Sequence, residues 1–326
     1  MTSALHAWKT SRGWLLIILR WTAGLAVLFL LIHYFPLEPL RAALARLPGT
    51  RFLAILIGYL LVHLVGLAKW RLSVNAAGAA LDLSTSAQCY SGGLFGTLFL
   101  PSILGGDVVR LAVGVQRSPR PAALLAGNIA DRMLDVAAQA SLVLLGFILL
   151  PGPLPGVWQA ATHRVLPVAG LLLALAALLG FLLRRPLLRG RSVRFRRRLA
   201  RFRYAVRSVF RRPLALVRGW LLGLFIQGAF LFFTALLAVS CGLVLPLRVW
   251  LFAVPLAKMA ALLPITQGGI GVREAALVAI LVPFGAAGPL VLATGLVWEG
   301  VVLCGGLLAG LIALLLRRSE EPDELI

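Results

Sequence analysis

Six stretches of this chain stay apolar long enough to cross a bilayer: roughly 14–35, 51–74, 122–150, 165–183, 214–241 and 288–316. A helix needs about 20 predominantly apolar residues to traverse the hydrocarbon core. Inside that core every backbone N–H and C=O must be satisfied within the segment, which leaves helices as the natural solution for runs of this length. The expected fold class is therefore all-α, a polytopic membrane helix bundle with about six full spans, forming one transmembrane domain over residues 1–326. Composition agrees: 60% of residues are hydrophobic and only 13% are charged, against about 25% charged in soluble domains. No soluble catalytic domain is expected.

Two further apolar regions, about 84–118 and 247–284, are broken by Pro and Gly in their middles. Each reads as a helix that enters the membrane, breaks and returns, a re-entrant hairpin. The breaks resemble one another. Residues 101–110 read PSILGGDVVR and 264–273 read PITQGGIGVR. Pro101 and Pro264, Gly105 and Gly268, Gly106 and Gly269, and Arg110 and Arg273 are each separated by 163 positions. The same offset carries span 51–74 onto 214–237 and span 122–150 onto 285–313, both apolar. The chain thus reads as two repeat halves, about 14–150 and 165–316. Three crossings in each half force opposite insertion, so an inverted-topology repeat is expected, with two hairpins meeting near the midplane.

The net charge of +21 is concentrated rather than spread. Residues 184–218 hold 14 Arg and no acidic residue, and subtracting them leaves +7 for the rest. A basic segment between apolar spans (a loop at about 184–213) is what the positive-inside tendency places in the cytoplasm, where it attracts anionic headgroups. With Lys9, Arg12, Arg317 and Arg318 it puts both termini on the cytoplasmic side of a prokaryotic inner membrane. Arg41 and Arg46, in the 36–50 connection, run against this orientation. No recognition motif accompanies the arginines, so no nucleic acid is expected as a partner. The first span lacks a small-residue cleavage site and reads as uncleaved. Cys89, Cys241 and Cys304 have neither disulfide-framework nor metal-ligand spacing, and no cofactor is expected.

A Pro, then Gly-Gly, then Arg inside lipid makes chemical sense as an anion site. Proline interrupts helical hydrogen bonding and glycine relaxes the backbone. The half-helix that follows presents unpaired N–H groups and the positive end of its dipole. Arg110 and Arg273 add planar donor forks suited to phosphate. Five acidic residues, Asp107, Asp131, Asp135, Glu274 and Glu299, also lie in the embedded part, where each costs about 3 kcal/mol unless paired or hydrated. Asn128, Asp131, Arg132, Asp135 and Gln139 recur every three or four residues, forming one polar stripe on the span 122–150, and Arg132 and Asp135 can pair within it. Lys258 precedes the second break. Lys69 and Arg71 read as snorkelling at the end of their span, and His63 as a packing hydrogen-bonder near Tyr59. Competing structural readings remain for the stripe, as interhelical glue, and for both motif arginines, as interfacial snorkels. No GxSxG, HExxH or P-loop occurs.

At GGDVVR (105–110), ADRMLD (130–135) and LPITQGGIGVRE (263–274) the chain resembles the lysylphosphatidylglycerol synthase transmembrane-region family, also called flippase-like or UPF0104 proteins. The resemblance runs over about 14–316. It implies movement of a lipid between leaflets, of the kind that serves aminoacylated phospholipids in two-domain relatives. Only ten residues follow Leu316, so the synthase activity of those relatives is not expected. One departure is Ile270, where the first motif has Asp107. The implied function is a lipid flippase, not an enzyme, moving an anionic or phosphate-bearing lipid through a central polar site. Gly105, Gly106, Gly268, Gly269, Arg110, Arg273, Asp107, Asp131, Arg132, Asp135, Glu274, Glu299 and Lys258 are its candidate binding residues. The expected partners are membrane lipids with anionic or aminoacylated headgroups, and an enzyme of lipid synthesis. The alternatives are a membrane enzyme acting on lipid phosphates or lipid-linked sugars, and a non-transporting member of a lipid-synthesis complex.

Overall fold

The computed structural model describes residues 37–100, 105–150, 193–261 and 269–318, with Thr266 and scattered helical positions between 22 and 34. The expected spans at 14–35 and 165–183, together with Pro101, Pro264 and Gly268, lie wholly or mostly outside the described residues. Ten α-helices are described: α1 (Leu37–Ala45), α2 (Gly49–Ala76), α3 (Leu83–Phe99), α4 (Gly105–Arg117), α5 (Pro121–Leu149), α6 (Val193–Phe210), α7 (Pro213–Ser240), α8 (Leu247–Ala260), α9 (Val272–Leu281) and α10 (Gly288–Arg318). A single 3₁₀ turn, Val282–Phe284, follows α9. No strand occurs among the described residues.

Four helices, α2, α5, α7 and α10, are long and apolar enough to cross a membrane. At 28 to 31 residues each extends more than 40 Å at about 1.5 Å per residue. They coincide with four of the six expected spans. Their outward faces carry exposed Leu53, Ile57, Leu61 and Leu64 on α2 and Leu214, Leu221 and Phe225 on α7. Water would not tolerate such continuous apolar faces, whereas lipid does.

Local chemistry sets the helix starts. Pro121 and Pro213 stand at the first positions of α5 and α7, where a missing N–H costs nothing and the fixed φ suits a helix. The Asp82 carboxylate accepts from the Thr85 N–H at 3.1 Å and caps α3, and its hydrogen bonds to Thr85 hold its carboxyl below the usual aspartate range. Helix α9 begins after Gly271, whose φ of +81° favours glycine. There the Glu274 carboxylate accepts the Gly271 N–H at 2.8 Å, half of a capping box.

The shorter helices form two hairpins, α3 with α4 and α8 with α9. Hairpin α3–α4 is close because both arms are small at the contact. A Cβ on Gly93 would lie 2.9 Å from the Gly106 carbonyl oxygen. The 163-residue offset extends to these elements. It moves α2 to 212–239, α3 to 246–262, α4 to 268–280 and α5 to 284–312, beside the observed α7, α8, α9 and α10. Packing partners correspond too: α3 lies on α10 while α8 lies on α5, and α4 touches α5 while α9 touches α10.

Three buried apolar clusters hold the bundle. One joins α2, α7 and α10 through Ile55, Tyr59, Phe230, Leu237 and Trp298. Another surrounds Trp250 on α8 and includes Leu277 and Leu281 of α9. The third centres on Trp70 and Leu124 and takes in Ala205 and Val209 of α6. Part of the segment expected as a basic loop is therefore the helix α6, seated by an apolar stripe on α2 and α5.

Candidate functional site: a buried charge network between two hairpins

The polar stripe of α5 faces protein. Asn128, Asp131 and Gln139 are buried; Asn128 and Asp131 are held by residues of α2, whereas Gln139 Oε1 finds no hydrogen-bond partner among the described residues. Trp70 Nε1 on α2 donates to Asn128 Oδ1 at 2.8 Å. Asp131 accepts from Lys69 Nζ at 2.6 Å and from Ser73 Oγ at 3.2 Å. Asp135 lies 3.1 Å from the same ammonium. Lys69 is 2% exposed, which corrects the reading of this residue as a snorkel. Helix α2 continues two turns beyond it, and the α5 carboxylates make burial tolerable by supplying two opposite charges.

The first hairpin joins this network through Asp107, in the first turn of α4. Arg132 grips Asp107 with a fork, Nε to Oδ2 and Nη2 to Oδ1, the latter at 2.6 Å. Arg132 also lies 3.5 Å from Asp135, the expected intrahelical pair, and Arg110 lies 3.6 Å from Asp107. Three cations, Lys69, Arg110 and Arg132, thus face three carboxylates, Asp107, Asp131 and Asp135. The sequence displayed these residues but not their pairing, since the partners come from α2, α4 and α5.

The second hairpin carries a smaller, unequal cluster. Arg273 Nη2 lies 3.0 Å from Glu274 Oε1 and 2.7 Å from Glu299 Oε1 on α10. One guanidinium nitrogen serves two carboxylates. Lys258 on α8 forms no ion pair among the described residues. Its Nζ donates to Gln227 Oε1 at 2.8 Å and lies 5.1 Å from the Phe230 ring centroid. Together the two clusters and Lys258 contribute five cations and five carboxylates, so the interior is formally neutral while the second cluster carries one excess negative charge and Lys258 one unpaired positive charge.

A group of packed rings adjoins the charged residues. Tyr59 packs on Phe230 at 5.4 Å and on Trp298 at 5.9 Å between ring centroids, and His63 meets Tyr59 edge-on at 4.4 Å. The His63 Nδ1 and Tyr90 hydroxyl share a hydrogen bond at 3.1 Å, a packing role. Arg110 stacks over Tyr90 at 4.1 Å, and Lys258 lies against Phe230. Tyr90, Gln227, Phe230 and Trp298 were not among the sequence-derived candidates. Only their three-dimensional proximity to the charges singles them out.

The half-helix ends are not bare. Asp107 occupies the first turn of α4, and Glu274 takes the Gly271 amide at the start of α9. Gly105 and Gly106 are buried at the start of α4, and Gly269 lies at the start of the turn into α9 with φ +82°. Both motif arginines are engaged with carboxylates, yet Arg110 Nε and Arg273 Nε find no hydrogen-bond partner among the described residues, and neither does His63 Nε2. Such orphaned buried polar atoms are rare and call for an explanation.

A bundle of apolar helices with paired short hairpins and a buried, internally neutralised charge network defines a multi-pass membrane protein whose interior is polar. The chain belongs to the family described as the lysylphosphatidylglycerol synthase TM region, which it matches over residues 15–310. A comparison with curated proteins finds no match.

Proposed function

We propose that this protein is a lipid flippase that moves a phosphate-bearing lipid between leaflets, its headgroup passing through the polar interior while its acyl chains stay in the bilayer. The observation that carries this reading is the pair of buried, partner-poor guanidinium nitrogens, Arg110 Nε and Arg273 Nε, one in each hairpin. A phosphate arriving at either would supply the missing acceptor. Lys258, held by an amide oxygen and a ring face, supplies a cation that forms no ion pair among the described residues.

The reading also draws support from the architecture. Two hairpins inserted from opposite sides would bring their charged ends together near the midplane, an arrangement that suits alternating access. The correspondence of α2–α5 with α7–α10 in order, length and packing agrees with such a repeat. The pairing of Arg110 with Asp107 and of Arg273 with Glu274 and Glu299 makes each arginine a switchable group. A passing phosphate competes with the carboxylate, and the carboxylate reclaims the arginine when the phosphate leaves. That exchange keeps the interior neutral between transport events, which in a medium of low dielectric matters more than raw affinity.

The test is reconstitution into liposomes containing headgroup-labelled phosphatidylglycerol, with dithionite quenching of the outer leaflet. Wild-type protein should expose the inner-leaflet label. Arg110→Ala and Arg273→Ala should each abolish the effect while eluting from size exclusion as the wild type does. Unchanged flipping in both variants would remove the assigned role.

A further inference from the structure

The arginine-rich helix α6 does not belong to the polar interior, and it shapes a second feature. Between α6 and the connection from α4 to α5 runs a groove of about 1620 Å³. Its inner wall includes Leu111 and Val115 of α4, its outer lip includes Tyr204 of α6, and Arg120, Arg201 and Arg212 also line it. All three arginines are exposed, as is Tyr204 at 73%. Arg120 is fixed in place by donating to the Gly78 carbonyl at 3.1 Å.

We propose that this groove is a docking site for one anionic phospholipid, its acyl chain against the apolar wall and its phosphate on the three arginines. Charge and shape complementarity favour such a ligand. Helix α6 holds seven arginines and no acidic residue in 18 positions. Its apolar face is seated on the bundle through buried Ala205 and Val209, and the Ser208 hydroxyl donates to the Ala76 carbonyl at 3.1 Å. A helix so anchored, with Tyr204 and Phe210 still exposed, matches an amphipathic helix at a membrane interface. Three exposed arginines lining one apolar groove suit a monoanionic or dianionic headgroup far better than a zwitterionic one. The groove is lined by none of the residues of the first charge cluster, so it is a site apart from the polar interior. Occupancy rests on the membrane location alone and not on transport.

Native mass spectrometry of the detergent-purified full chain with added phosphatidylglycerol or phosphatidylcholine tests this. Wild-type protein should retain one phosphatidylglycerol in preference to phosphatidylcholine. The triple variant R120Q/R201Q/R212Q should lose that preference by at least about tenfold, while R120K/R201K/R212K keeps most of it, as expected for charge-led binding. Should the glutamine variant fail to fold, a photoactivatable phosphatidylglycerol on the wild type decides. Crosslinks concentrated in residues 111–125 and 199–212 support the site. Equal retention of both lipids, or crosslinks spread evenly over the lipid-facing surfaces of α2, α7 and α10, would overturn it in favour of general annular lipid. A loss of flipping with docking intact would leave this inference standing, and the reverse result would leave the flippase reading standing.

Discussion

Lys69 is the residue on which the first charge cluster turns. Its ammonium sits against Asp131 and Asp135 with 2% of its surface exposed. Lys69→Met should therefore leave two carboxylates short of a cation. Breaking a buried pair from one side costs about 3–5 kcal/mol, which should appear as a large drop in the thermal midpoint measured in detergent. Lys69→Met with Asp131→Asn should recover a substantial part, because the uncompensated charge is then reduced. A double variant as unstable as the single one would mean that Lys69 contributes mainly by packing. The sequence made Asp131, Arg132 and Asp135 legible through their helical spacing. It did not reveal Lys69, because a lysine five residues from the end of an apolar run looks the same whether it reaches for the surface or for a carboxylate on another helix. The same limit hid Arg132 and Asp107 from one another.

At the scale of the element, the hairpin α3–α4 holds Asp107 in reach of Arg132, and its close approach depends on Gly93 and Gly106. Gly106→Val would push a side chain into the backbone of α3, so overpacking should cost about 1–3 kcal/mol and loosen the Asp107–Arg132 fork. Thermal unfolding in detergent would read the first effect. Unaltered stability would show that the arms can separate without penalty. Helix starts were the more legible part of these elements. Pro121, Pro213 and the Asp82 cap are local signals, and the four observed long helices lie within a few residues of the expected spans. The helix α6 was less visible, since 14 arginines between 184 and 218 dominate the eye. Yet Leu199, Phe202, Ala205, Val206 and Val209 recur at helical spacing, a pattern that seats the helix and that charge counting passes over.

For the molecule as a whole, the account depends on two halves facing opposite ways. The 163-residue offset was legible because proline, paired glycines and an arginine recur at the same spacing as the flanking spans; the opposite orientation of the halves is the proposal to be tested. The chemical difference between the halves was legible in part, from Ile270 standing where Asp107 stands in the first motif. Its consequence, one cluster with three balanced pairs and another with two carboxylates on one arginine, needed the three-dimensional arrangement. The most direct measurement is side-specific labelling in oriented membrane vesicles, using a membrane-impermeant maleimide and a background in which Cys89, Cys241 and Cys304 are replaced. Leu83→Cys, at the start of α3, and Leu247→Cys, at the start of α8, are both at exposed positions. The account predicts that the first reacts only from the cytoplasmic side and the second only from the opposite side. Reaction of both from the same side would contradict it.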